Sequence, residues 1–262
     1  MIFSFLNKNG KLVRITFFLF ISSLSFAQEL KSDFSVDTIK SYKNQRFNYK
    51  QLIIPTVFIG YGIIGLESDQ LKFFNSEVSE EVTEHIDEKF TIDDFSQYTP
   101  LVTALSLDLI GVRGKNNFKD KAIIASTSYL IMGIAVNSLK KITHVERPDG
   151  SGFNSFPSGH TATAFMGAEL LYQEYKEKSF WYGISGYVVA SGTGAFRMYN
   201  NRHWLTDVVA GAGIGILSTK VAYWLYPTVN KLFTNKKESN YKTAFIPYYD
   251  GKTTGFGLVS TF

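Results

Sequence analysis

Six apolar blocks follow one another between residues 52 and 226, with little chain between them. They are "LIIPTVFIGYGIIGL" (52–66), 101–112 with Asp108 inside it, and "AIIASTSYLIMGIAVNSL" (122–139). Residues 161–175, the Gly- and aromatic-rich 181–196, and "WLTDVVAGAGIGILSTKVAYWLY" (204–226) complete the set. Apolar residues recur in these blocks at helical spacing, and no strand–helix–strand alternation is present. The expected class is therefore all-α, a helical bundle of about six core helices. Gly211, Gly213 and Gly215 have no strand before them, which excludes a nucleotide-binding loop. Gly211 and Gly215 are read instead as points of close helix packing. The first block is about 15 residues long and carries Pro55, short of the roughly 20 residues a membrane span needs. Insertion in lipid and burial in a helical core are both open for it. A mean hydropathy of −0.03 is low for a chain whose every helix lies in lipid, yet it leaves room for a few spans.

The ends of the chain read differently. Residues 1–27 have the layout of an export signal: Lys8, Lys11 and Arg14 precede the apolar "ITFFLFISSLSFA", and Ser25-Phe26-Ala27 offers a cleavage site before Gln28. The chain is thus expected to be exported, periplasmic or membrane-associated. Of 27 basic and 23 acidic residues, three basic ones leave with the signal, so the mature chain stands at +1. That balance, with no Lys/Arg run, argues against nucleic acid as a partner. The absence of cysteine excludes disulfides and thiolate metal sites. Residues 28–50 form a polar lead-in, and 67–98 contain the acidic "SEEVTEHIDEKFTIDD". This segment is read as an amphipathic helix with a solvated face, since it lacks the Gly-bearing spacing of a calcium loop. In the tail, 228–262, Asp250-Gly251 lies between two aromatic, β-branched runs and signals an accessory hairpin.

Only four histidines are available: His85, His144, His160 and His203. His85 falls in the acidic segment and is expected to be solvated, and His144 in a turn-like stretch to be structural. The other two lie in polar clusters that interrupt the apolar blocks. The first cluster, "KKITHVERPDG", contains Lys140 and Arg147. A lysine there by itself caps or snorkels from a helix end. The second, "SFPSGHTATAF" (155–165), enters a helix through Pro157, Ser158, Gly159 and His160. First-turn N–H groups have no intrahelical partner, so a glycine and an imidazole here favour an anion over plain packing. The third, "FRMYNNRHWLTD", contains Arg197, His203 and Asp207. His203 and Asp207 are four residues apart, which on a helix places them on one face. A carboxylate accepting one ring N–H fixes the tautomer and leaves the other nitrogen as a base or nucleophile. Lys140, Arg147 and Arg197 are three cations beside apolar sequence, costly to bury without an anion and well matched to phosphate oxygens.

Together the pattern Lys-x6-Arg-Pro, Pro-Ser-Gly-His and Arg-x5-His-x3-Asp over residues 140–207 resembles the type 2 phosphatidic acid phosphatase (PAP2) superfamily. Class A acid phosphatases and vanadium haloperoxidases share that superfamily. The resemblance implies an all-helical phosphatase domain over residues 51–227. It also implies that His203 is the nucleophile forming a phosphohistidine, that Asp207 holds it, and that His160 is the acid–base. Lys140, Arg147, Ser158, Gly159 and Arg197 would bind the phosphoryl oxygens, with neither metal nor cofactor required. Phe196, where the family often has serine, departs from the pattern at a position this chemistry does not use. The expected function is an exported phosphatase acting on a lipid-linked phosphate ester. The alternatives are a soluble broad-specificity acid phosphatase, a vanadium-dependent haloperoxidase using the same cradle, and a non-catalytic protein that kept the fold.

Overall fold

The computed structural model describes residues 48–84 and 91–232 in full, together with the backbone of 233–234 and of four short strands nearer the chain ends. Residues 1–42 and 43–262 form two units. In the first, β1 (Ser4–Leu6) pairs antiparallel with β2 (Leu12–Arg14). The rest of the expected export signal, and most of the polar lead-in, lie outside the described residues.

The body of the second unit is all-α, and every apolar block except 101–112 forms the core of one helix. A 3-10 turn at Tyr49–Leu52 leads into α1 (Ile53–Glu67). Pro55 does not interrupt this helix, because it occupies the first turn, where a missing N–H costs no internal bond. Ser68 caps α2 (Asp69–Thr83) by accepting the Leu71 N–H at 3.4 Å. Short α3 (Ile92–Ser96) and α4 (Thr99–Ser106) follow. The block 101–112 therefore does not form one helix: a 3-10 turn at Leu107–Ile110 ends at Gly111, whose φ of 86° is left-handed. Asn117 caps α5 (Phe118–Thr143), and His144, at φ 45°, closes it in the structural place expected of it. Then come α6 (Gly159–Tyr175), α7 (Phe180–Tyr199) and α8 (Leu205–Thr234). In the tail, β3 (Lys242–Tyr249) and β4 (Thr254–Thr261) pair antiparallel with Tyr249 opposite Thr254. Asp250 and Gly251, on which the hairpin signal rests, lie outside the described residues.

At the centre lies α6, with 13 of its 17 residues buried among α4, α5, α7 and α8. Helix α8 reaches it through small residues. A Cβ at Gly211 would lie 2.5 Å from the Ser158 carbonyl oxygen, and one at Gly215 would press on the Ala162 carbonyl. These are the close approaches the glycine spacing predicts.

Acidic and basic groups are buried at both ends of α6. At its C-terminal end, Lys121 Nζ meets Asp108 Oδ2 at 2.5 Å, Tyr175 Oη at 2.9 Å and the Ala104 carbonyl at 3.3 Å. Glu174 accepts from Asn116 Nδ2 at 2.6 Å, the Asn116 N–H at 2.8 Å and Tyr223 Oη at 2.5 Å. Glu169 accepts from Lys220 Nζ and Gln173 Nε2, each at 2.6 Å, and from Tyr187 Oη.

The outer surface is apolar where a water-facing helix would be polar. Ile53, Ile54, Val57 and Ile64 on α1, Leu130 and Ile134 on α5, and Trp181 and Val188 on α7 are all exposed. Three stretches are long and apolar enough to cross a membrane: Tyr49–Glu67, Phe118–Thr143 and Leu205–Leu232. Only 17% and 28% of the first two windows are buried, so their apolar character is not accounted for by packing.

The acidic segment divides. Helix α2 has the solvated face expected of it, with Asn75 its one buried residue. His85 lies outside the described residues. Asp93, however, is 1% exposed, which departs from a solvated face, and the reason is a guanidinium supplied by α7.

Candidate active site

The end of the bundle that gathers the C-termini of α5 and α7 and the N-termini of α6 and α8 holds the three polar clusters. At the start of α8, Asp207 turns its carboxylate back onto the helix N-terminus, where Oδ2 accepts the Trp204 N–H at 3.0 Å. A carboxylate in a first turn satisfies an otherwise unpartnered donor and gains from the helix dipole. His203 Nδ1 lies 3.4 Å from the same Oδ2 and 3.4 Å from Ser155 Oγ, and Ser155 Oγ donates to Asp207 Oδ2 at 2.5 Å. All three side chains are buried, His203 to 3% exposure. Burial is the main cause that lowers the His203 pKa to about 4; Asp207 opposes it, while Lys140 and Arg197 add to it. The ring is therefore neutral at pH 7. With Nδ1–H directed at Asp207 and Ser155, Nε2 carries the free lone pair.

The three expected phosphate-binding cations converge here. Lys140, in the last turn of α5, donates to the carbonyls of Asn154 and, at 3.2 Å, Ser155. Arg147 Nε donates to the Asn154 side-chain oxygen at 2.8 Å. Both cations are thus held by neutral oxygens. Burial, followed by repulsion from Arg197 and Arg202, pulls the Arg147 pKa below its ordinary value. Arg197 is held by a charge: its Nη1 donates to Asp93 Oδ2 at 2.6 Å, while Asn200 Nδ2 donates to Asp93 Oδ1 at 3.0 Å. Its Nε is buried without a hydrogen-bond partner among the described residues.

His160, in the first turn of α6, places Nε2 2.9 Å from Asp94 Oδ1. Its pKa is lowered, by burial first and then by Arg197, with Asp94 and Asp93 pulling the other way. A cavity of about 330 Å³ opens beside it, lined by Thr91, Asp93, Asp94, Arg147, His160, Arg197, Asn200 and Arg202. Asp93, Asp94 and His160 are close enough to share a cation. A cation there would, however, face the Arg197 guanidinium that Asp93 already neutralises.

Of the residues expected from sequence, Arg147, His160 and Arg197 line this cavity. Lys140, His203 and Asp207 stand at the same end but are not part of its wall. Ser158 is turned inward. Its N–H donates to the Asp207 carbonyl at 3.0 Å, and its Oγ caps α6 at Thr161 N, 3.4 Å away, and lies 2.8 Å from Thr161 Oγ1. Gly159, half-buried, opens α6 beside it. Four contributors were not legible from sequence: Ser155, Asp93, Asp94 and Arg202. Ser155 and Arg202 lie inside the quoted clusters with nothing in their spacing to single them out. Asp93 is separated from Arg197 by 104 positions, and no local pattern reports a pairing of that range.

Comparison with known proteins finds the following similarities. A family model described as the PAP2 superfamily matches residues 121–231. The chain is 42% identical over 152 residues to a Porphyromonas gingivalis protein described as lipid A 1-phosphatase. It is 35% identical over 77 residues to the Bacillus licheniformis bacitracin transport permease protein BcrC. The matches take in 58% and 29% of this chain, and it spans only about a third of each relative, 34% and 36%. Among solved structures, Aquifex aeolicus LpxE superposes with a TM-score of 0.45 at 23% identity, over 57% of this chain and 94% of that one. A PAP2-type phosphatidylglycerolphosphate phosphatase from Bacillus subtilis also gives 0.45, at 18% identity, over 72% and 100%. The stretch that the PAP2 superfamily model matches, residues 121–231, holds all three clusters.

Proposed function

We propose that this chain is a membrane-embedded phosphatase that hydrolyses a lipid-linked phosphate ester through a phosphohistidine. One observation carries the reading: a neutral, buried His203 oriented by Asp207 sits among cations held by neutral oxygens, with the Arg197 Nε donor left without an acceptor. A buried donor without a partner costs about 1–3 kcal/mol, which an oxyanion relieves. In the first step the His203 Nε2 lone pair forms the P–N bond as the ester P–O bond breaks. His160 gives its proton to the departing oxygen. Asp207 stabilises the cationic ring that results, and Lys140, Arg147 and Arg197 take the charge on the phosphoryl oxygens. In the second step the now neutral His160 removes a proton from water, whose oxygen attacks phosphorus as the P–N bond breaks. Inorganic phosphate leaves and both histidines are restored. Ser158 and Gly159 act by building the α6 N-terminus that faces the anion.

The position of the site supports a lipid substrate. Helix α5 is about 39 Å long at 1.5 Å per residue, enough to cross the hydrocarbon. Its C-terminus and the α8 N-terminus, the ends of two candidate spans, both carry site residues. The pocket would then lie at one membrane face, where a lipid phosphate resides. The relative described as lipid A 1-phosphatase makes a phosphorylated lipid the first substrate class to test. In the same reading residues 1–27 serve export, residues 51–227 form the catalytic domain, and the site faces the periplasm. Phosphate release from phosphatidate, a prenyl diphosphate, lipid A and a soluble aryl phosphate tests it. The lipids should be turned over with a higher kcat/KM than the aryl ester, and His203→Ala should release nothing. Turnover by His203→Ala, or preference for the aryl ester, overturns the proposal.

A further inference from the structure

The mechanism above uses Arg147 and Arg197 but leaves the third guanidinium on the cavity wall, Arg202, without a task. Its placement is built. The Arg202 N–H donates to the Arg197 carbonyl at 3.0 Å, and its Nη1 donates to Asp149 Oδ2 at 3.0 Å and Ser151 Oγ at 3.4 Å. Asp149 and Ser151 belong to the tight turn after Arg147, which is closed by Gly150 N–H to Arg147 O at 2.9 Å and Arg147 N–H to Gly152 O at 2.9 Å. Arg202 therefore bridges the segments that carry the other two arginines, and those guanidiniums repel one another across the cavity. The space is also larger than one phosphoryl group needs. At about 30 Å³ per water, 330 Å³ has the volume of roughly ten waters. Its lining carboxylates already have partners, Asp93 on Arg197 and Asp94 on His160, whereas Arg147 donates to the neutral Asn154 oxygen and Arg202 shares its charge with Asp149 alone. An additional anion in the cavity is therefore drawn to Arg147 and Arg202.

We propose that Arg202, with Arg147, forms an outer anion seat that selects substrates carrying a second negatively charged group close to the transferred phosphoryl group. The seat deepens the phosphatase reading and rests on it for its catalytic meaning, but binding alone can test it. The second charge has two sources, the neighbouring phosphate of a diphosphate ester or an acidic group elsewhere on the leaving alcohol. Both would be read by the same guanidinium donors.

The experiment is calorimetric titration of the full chain in detergent with orthophosphate and pyrophosphate, for wild type, Arg202→Gln and Arg202→Lys. Wild type should bind pyrophosphate about 10- to 100-fold more tightly, the range expected of charge-assisted hydrogen bonds. Arg202→Gln should erase most of that ratio, with a much smaller loss for orthophosphate, and Arg202→Lys should restore part of it. Equal weakening of both ligands by Arg202→Gln would show a structural staple to Asp149 and overturn the seat. A wild type without preference would do the same. Turnover of a short-chain alkyl diphosphate, the matching monophosphate, and a monophosphate with a nearby carboxylate then separates the two sources. If the binding preference is present and no ester is hydrolysed, the phosphatase reading fails while the seat stands. If esters are hydrolysed without the preference, the seat fails and the phosphatase stands.

Discussion

The two ends of α6 bury charge in opposite ways. At the C-terminal end, Lys121, Glu169 and Glu174 each have two or more partners, and opposite charges meet directly in Lys121–Asp108 and Lys220–Glu169. At the N-terminal end, Lys140 and Arg147 are held by neutral oxygens, and Arg197 keeps a buried donor in reserve. Closed networks of the first kind hold helices in register. Charge held only by neutral oxygens, as on Lys140 and Arg147 in the second, costs stability until an anion arrives. The contrast separates scaffold from candidate site along a single helix.

The largest expected effect is at the open end. His203→Ala should lower turnover by at least about 10³-fold and abolish the phosphoenzyme seen after acid-free quenching with labelled substrate. Asp207→Asn should cost less, since the ring keeps its cavity and loses its charge partner. Retained phosphoenzyme in His203→Ala would remove the basis for calling this end the site.

Next is a pair of lysine changes that tests the contrast itself. Lys140→Met should lower kcat/KM by about 10²–10³-fold with little change in thermal stability. Lys121→Ala should destabilise the protein by about 2–3 kcal/mol, because it empties a fully buried position and takes the cation from the partly exposed Asp108, while the folded fraction keeps its kcat. If the two lysines exchange these phenotypes, the division into scaffold and site is wrong.

Ser155→Ala comes third. Its hydroxyl shares Asp207 Oδ2 with the His203 ring, so its loss should lower kcat by about 10-fold with KM nearly unchanged. A change confined to KM would place Ser155 with the substrate rather than with the nucleophile.

The smallest effect concerns pH. The proposed mechanism needs a neutral His203, which holds above about 4. It also needs a protonated His160, whose pKa is lowered from 6.5. The kcat/KM profile should therefore peak in acid, rising through about pH 4 and falling before pH 6.5. Asp94 favours the protonated ring, so Asp94→Asn should move the falling limb further toward acid. An alkaline optimum would contradict both assignments.

Much of this molecule was open to reading from its residues. The helical class followed from apolar periodicity, and Gly211 and Gly215 meet backbone as their spacing implied. The His203–Asp207 pair was legible from its spacing, but not for the expected reason: His203 precedes α8 rather than sharing its face, and it meets Asp207 because that first-turn carboxylate turns back over the helix N-terminus. The cations were legible as types that apolar sequence does not carry without cause. Other relations were settled only by packing. The acidic run looked solvated along its whole length, yet Asp93 and Asp94 end on Arg197 and His160. Ser158 looked like a ligand-facing hydroxyl, yet it is enclosed as the cap of α6. A sequence states which groups are costly to bury. Which partner relieves that cost depends on helices brought together from more than 100 positions apart, and only the folded bundle decides it.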